Sequence, residues 1–274
     1  MLLSAPPVKD ESFPSAPQAL LLVLALFMAE YLVGAALYDV RQALGLTREE
    51  LSALVKLLGS GMLFAVLLHA KALPYRALFH PSRASLRATM VLLIPPVALL
   101  VPALVLLASE LSDLLVRIFP LSAWEEQAFA SMSAANIAAM TAVCVLAPVL
   151  EEMLFRGIIL RAFMVQYSRG TAIAASALIF GVAHLNIYQF VIAFLLGLIA
   201  GWLYERSRSL VPSIALHAAY NTSLTVVGSS SWGGQAGSTQ PASTTVWVLS
   251  LAAALVGALA LNHLLAGSNQ RVAT

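Results

Sequence analysis

Apolar residues run through this chain in long blocks separated by short polar stretches. The blocks cover approximately 18–39, 51–70, 89–109, 138–166, 170–187, 189–204, 209–228 and 245–266. A helix needs about 20 residues to cross ~30 Å of hydrocarbon, and most blocks reach that length. Each crossing must be helical, because an open sheet edge leaves backbone groups unsatisfied in lipid. The pattern predicts an all-α fold, a polytopic transmembrane helical bundle of about eight spans. No internal repeat and no second domain is visible, so residues 1–274 are read as a single integral membrane domain. Pro95, Pro96 and Pro102 are expected to kink the third span. Gly197 and Gly201 form a small-xxx-small pair that lets another helix approach closely. Residues 229–244 carry no charge and are rich in Gly and Ser, which predicts a flexible extracytoplasmic loop.

Composition narrows the class. Only 10% of the 274 residues are charged and 60% are apolar, with a mean hydropathy of +0.88. An ordinary soluble domain carries about 25% charged residues. A cytosolic enzyme, a nucleic-acid binder and a disordered chain are therefore excluded, and the lipid bilayer is the expected partner. Sorted by loop, Lys9, Lys71, Arg76, Arg83, Arg87, Arg156, Arg161, Arg169, Arg206, Arg208 and Arg271 fall on one side. Only Arg41, Arg48 and Arg117 fall on the other, together with the acidic residues Glu110, Asp113, Glu125 and Glu126 of the loop 110–137. This asymmetry predicts that both termini are cytoplasmic, in a multi-pass protein of a cell membrane. The single cysteine, Cys144, leaves no disulfide framework and no Cys-based zinc site.

Charges inside hydrocarbon cost about 2.5–3.5 kcal/mol each on insertion scales, so each one calls for a partner or a task. Glu30 and Lys56 lie at similar depth in the first two spans, roughly 18 and 21 Å from the cytoplasmic ends, and are expected to pair with each other. In the run Glu151-Glu152-Met-Leu-Phe-Arg156, Glu152 and Arg156 stand at i, i+4 with the acid first, the favourable order for a pair on one face. Glu151 points about 100° away and stays free to face a cavity. Pro148 removes a backbone hydrogen bond to the Cys144 carbonyl and loosens the helix beside them. Phe180 and His184 share an i, i+4 face on the fifth span, as do His217 and Asn221 on the seventh.

Depth connects these helices. Glu151, His184, His217 and Asn221 lie roughly 22, 21, 12 and 18 Å from the cytoplasmic ends of their spans, which puts polar groups from three helices in one layer. A carboxylate in a low-dielectric site suits general-base activation of water, with an imidazole beside it to share that water. A second imidazole and a carboxamide can supply donors to an oxyanion. These are the parts of amide hydrolysis without a covalent intermediate. Cys144, about two turns from Glu151 in apolar surroundings, is not expected to act as a nucleophile.

The ordered set Glu151-Glu152-xxx-Arg156, Phe180-xxx-His184 and His217-xxx-Asn221 resembles the CPBP (Abi) family of intramembrane proteases. That family includes the eukaryotic CAAX prenyl endopeptidases and bacterial proteins linked to bacteriocin processing or immunity. The stretch Gly197-Leu-Ile-Ala-Gly201-Trp-Leu-Tyr204-Glu-Arg206 adds to the likeness, which covers about residues 140–225. The resemblance implies an endopeptidase acting on membrane-anchored protein or peptide substrates, with residues 138–228 as its catalytic core. It implies that Glu151 and His184 activate water, that His217 and Asn221 form the oxyanion site, and that Glu152 and Arg156 brace Glu151. It implies no cofactor in the glutamic-type reading; in the alternative, Glu151 and the two histidines would hold zinc. A non-catalytic scaffold or immunity protein of the same fold is a second alternative. A proton-coupled transporter is a third, against which no inverted repeat is visible.

Overall fold

The computed structural model describes residues 12–132, 136–231 and 242–266. Among these residues there are ten helices and no strand. They are α1 (Ala16–Tyr38), α2 (Arg48–Lys71), α3 (Tyr75–Phe79), α4 (Leu86–Ile118), α5 (Ala123–Met132), α6 (Ile137–Gln166), α7 (Arg169–Val182), α8 (Ile187–Ser207), α9 (Leu210–Ser231) and α10 (Thr244–Ala266). The chain is a polytopic helical membrane protein. Six helices (α1, α2, α4, α6, α8 and α10) are long and apolar enough to cross a bilayer.

Two of the eight predicted spans differ from that description. The predicted span 170–187 is the 14-residue helix α7, about 21 Å long, which ends before His184. The predicted span 209–228 is α9, whose length suffices but whose polar residues Ser213, His217, Asn221, Thr222 and Thr225 dilute its apolarity. Outside the membrane pattern, the predicted loop 110–137 is largely helical. Leu111, Leu114, Leu115 and Ile118 continue the apolar spacing of α4 past Glu110, so that helix runs unbroken for 33 residues through all three prolines. In the predicted loop 229–244, α9 reaches Ser231 and α10 begins at Thr244, while residues 232–241 lie outside the described residues. Lys9 and Arg271 of the charge pattern lie outside them too.

Helix starts follow local chemistry. Thr47 caps α2 in a reciprocal box, its Oγ1 accepting from Glu50 N while Glu50 accepts from Thr47 N at 2.8 Å. Ser85 caps α4 through Ala88 N, and Asn186 caps α8 through Gln189 N at 2.8 Å. Packing divides into two apolar clusters. One joins α1, α2, α3, α6 and α7 around Phe64, Leu78, Leu154, Ile158, Phe163 and Phe180. The other joins α4, α8, α9 and α10 around Val97, Leu196, Leu203, Leu216 and Leu261. Helix α6 lies against α2, α7 and α9, so a side chain on its surface can meet residues from all three.

Candidate active site

Helix α6 is wound unevenly. Ala142–Leu146 and Met153–Leu160 are π-helical, flanking the ordinary turn Ala147–Glu152 that carries both glutamates. The first π stretch has a cause in the sequence. Ala147 N–H reaches back five residues to Ala142 O. In that register the Val143 carbonyl would need an N–H from residue 148, which is a proline and has none. Asn221 of α9 supplies the missing donor, its Nδ2 lying 2.9 Å from Val143 O. In the apolar setting of a membrane helix a carbonyl without a partner costs about 1–3 kcal/mol, so this amide ties α9 to the loosened turn. The second stretch is held in a similar way, with Ser176 Oγ of α7 donating to Phe155 O at 2.9 Å.

The two glutamates leave their shared turn in different directions. Glu152 is fully buried and accepts from Arg156 NH1 at 2.8 Å, the i, i+4 pair legible in the sequence. Arg156 is also fully buried; its NH2 donates to Gly197 O of α8 at 3.1 Å, and its Cζ stands 4.7 Å from the Phe180 ring centroid. A Cβ at Gly197 would lie 3.0 Å from Ala177 Cβ and 3.2 Å from Arg156 NH2. The small residue is what allows α7, α8 and the arginine to meet.

Glu151 is placed otherwise. Its side chain keeps 16% of its surface accessible, against 1% for Glu152. Its Oε1 is 2.9 Å from Lys56 Nζ, and its Oε2 is 3.9 Å from His217 Nε2. The second separation exceeds a hydrogen bond and is one that a shared water or substrate oxygen can bridge. His217 Nδ1 lies 3.1 Å from Glu152 Oε1, so the ring stands between the two carboxylates. His184 donates from Nδ1 to Phe180 O at 2.9 Å, which leaves the lone pair of a neutral ring on Nε2. The Phe180 ring contacts both imidazoles edge-on, at 5.0 Å from His184 and 5.7 Å from His217. Glu151, Glu152, Arg156, Phe180, His184 and His217 thus form one cluster, with Asn221 a turn beyond His217 and bonded to Val143.

Two expectations need correction. The Glu30–Lys56 pair is replaced by Lys56–Glu151. Glu30 instead accepts from Ser60 Oγ at 3.4 Å, one turn further along α2. Side chains lean toward the N-terminus of their helix, so Lys56 leans away from Ser60 and reaches α6. His184, expected on a helix face, lies in the turn after α7, where Leu185 adopts φ +58° and Asn186 Nδ2 donates to His184 O. The capping residue Asn186 was readable as a helix start; a leucine at positive φ was not, because glycine usually fills that role. Lys56 itself was missed as a neighbour of Glu151. The signal was present, since their sequence-derived depths agree within roughly 1 Å.

Among the described residues, no group of three His, Cys, Asp or Glu side chains is placed to hold a metal ion, and Lys56 occupies one oxygen of Glu151.

A bundle of membrane helices around a centre of carboxylates and imidazoles defines the class of polytopic proteins with an intramembrane polar site. The family described as Type II CAAX prenyl endopeptidase Rce1-like matches residues 133–223, in agreement with the CPBP/CAAX protease-like resemblance carried by the motifs. The matched stretch contains Glu151, Glu152, Arg156, His184, His217 and Asn221, whereas Glu30 and Lys56 lie outside it. No curated protein and no solved structure matches the chain.

Proposed function

We propose that this protein is an intramembrane endopeptidase of the CAAX type that hydrolyses peptide bonds of membrane-anchored substrates with a water activated by Glu151. The observation that carries the reading is the contrast at the glutamate pair. Glu151 is accessible, faces His217 across a water-bridgeable gap and has His184 in the same cluster, while its neighbour Glu152 is sealed against Arg156.

In this mechanism a water between Glu151 and the imidazoles adds its oxygen to the scissile carbonyl carbon, and Glu151 takes its proton. The carbonyl oxygen becomes an oxyanion held by His217 and by the second amide N–H of Asn221, the first being engaged by Val143 O. Collapse of the tetrahedral species breaks the C–N bond. The leaving amine receives a proton through His184, and the products are a carboxylate and an amine. Glu152 and Arg156 hold His217 and the turn that bears Glu151.

The test reconstitutes the purified full-length protein in liposomes with a quenched fluorogenic peptide ending in a prenylated Cys-a-a-X sequence. In parallel, new protein N-termini are compared in membranes from cells producing the native chain or Glu151→Gln. Cleavage that depends on Glu151 in either arm supports the reading. Products identical in the native and Glu151→Gln samples of both arms overturn it in favour of a non-catalytic role.

A further inference from the structure

We propose that Lys56, on a helix outside the matched segment, is the positioning residue of Glu151. Its ammonium fixes Oε1 and so turns Oε2 toward His217 and the reacting water. The proposal rests on the protease reading above and adds the α1–α2 hairpin to the site.

Three observations carry it. Lys56 Nζ lies 2.9 Å from Glu151 Oε1, which leaves Oε2 as the oxygen facing His217 Nε2. The pair is not sealed: the two side chains keep 27% and 16% of their surface accessible, against 1% for each partner of Glu152–Arg156. A purely structural ion pair in hydrocarbon gains from full enclosure, whereas a group that must meet substrate has to border an accessible space. Finally, the lysine is itself held. A Cβ at Gly59 would come 2.9 Å from backbone atoms of Glu30, so α1 presses directly on α2 one turn beyond Lys56. The Glu30 carboxylate, fixed by Ser60, lies within electrostatic range of the ammonium. The charged groups facing Lys56 are therefore Glu151 from α6 and Glu30 from α1. An unbranched ammonium stem has many rotamers, and these flanking charges select the one that reaches α6.

The experiment uses the full-length protein in liposomes with the fluorogenic prenylated Cys-a-a-X peptide. Lys56→Met should lower kcat about 100-fold with KM within about twofold of native, because a displaced catalytic group loses rate rather than substrate binding. Its melting temperature should stay within a few degrees of native. Lys56→Arg, which keeps a cation of similar reach, should recover most of the rate. Native kcat in Lys56→Met beside an inactive Glu151→Gln would overturn this inference and leave the protease reading standing. Native turnover in Glu151→Gln would overturn the reading itself. An infrared arm does not depend on turnover: the carboxylate band removed by Glu151→Gln should shift in Lys56→Met. An unshifted band would show that the lysine does not hold that carboxylate.

Discussion

Glu151 and Glu152 leave adjacent positions of α6, yet one is sealed between an imidazole and an arginine that itself lies over a phenylalanine ring, while the other stays partly accessible between a lysine and a histidine. The difference arises from the helix partners each meets. Glu152 bonds His217 of α9 and Arg156, and the arginine runs into the seam where Gly197 lets α7 and α8 approach closely. Glu151 points toward α2 and α9, between Lys56 and His217, and keeps 16% of its side chain accessible. A sealed charge can only hold structure; an accessible one can exchange protons with a visiting molecule.

Six variants, two of them double, sharpen or break this contrast. Glu151→Gln should lower turnover by about 10²–10⁴-fold while thermal unfolding in detergent stays close to native, since an amide keeps the shape and loses the base. Arg156→Met should act on stability instead, by about 3–5 kcal/mol, because it leaves Glu152 buried without a counter-charge. Replacing both members, Glu152→Leu with Arg156→Met, should cost less stability than Arg156→Met alone. Denaturation midpoints measure both comparisons, and equal losses would refute the pairing account. Gly197→Ala should destabilise by about 1–3 kcal/mol through overpacking against Ala177 and Arg156. Asn221→Leu should cost about 1–3 kcal/mol by orphaning the Val143 carbonyl. Adding Pro148→Ala should restore part of that loss, because residue 148 then carries an N–H of its own; turnover should stay low, since the oxyanion donor remains absent. The smallest effect is expected from chelators, which should leave cleavage unchanged if Glu151 works with Lys56 rather than with a metal.

Sequence and structure agree where one helix decides the outcome. The Glu152–Arg156 pair follows from i, i+4 spacing alone, and the apolar blocks mark all six long helices. The weakening of α6 at Pro148 was legible too, but its form was not. An α-helical register points to the Cys144 carbonyl as the one left without its bond, whereas the π register makes it that of Val143, and Asn221 takes it. The same limit explains Lys56. Depth matched Lys56 with Glu30 and, separately, Glu151 with the histidines, and the choice of partner depends on which faces α1, α2 and α6 turn toward one another. That orientation is set by the close approach at Gly59 and is not written in any one helix. The length of α7 was misjudged because Ala183, Leu185 and Ile187 prolong the apolar block around His184 and Asn186, although the backbone has already turned at Leu185.

The brevity of α7 has a consequence for how the reactant arrives. About 21 Å of helix falls ~9 Å short of the usual hydrocarbon slab, and a mismatch of that size is relieved by local thinning of the bilayer. The non-helical link at His184–Asn186 needs a wet or protein-lined setting at that depth. A thinned patch beside α7 would shorten the way by which bulk solvent reaches the bundle centre, and the expected outcome is that longer acyl chains slow hydrolysis without altering a single contact inside the protein.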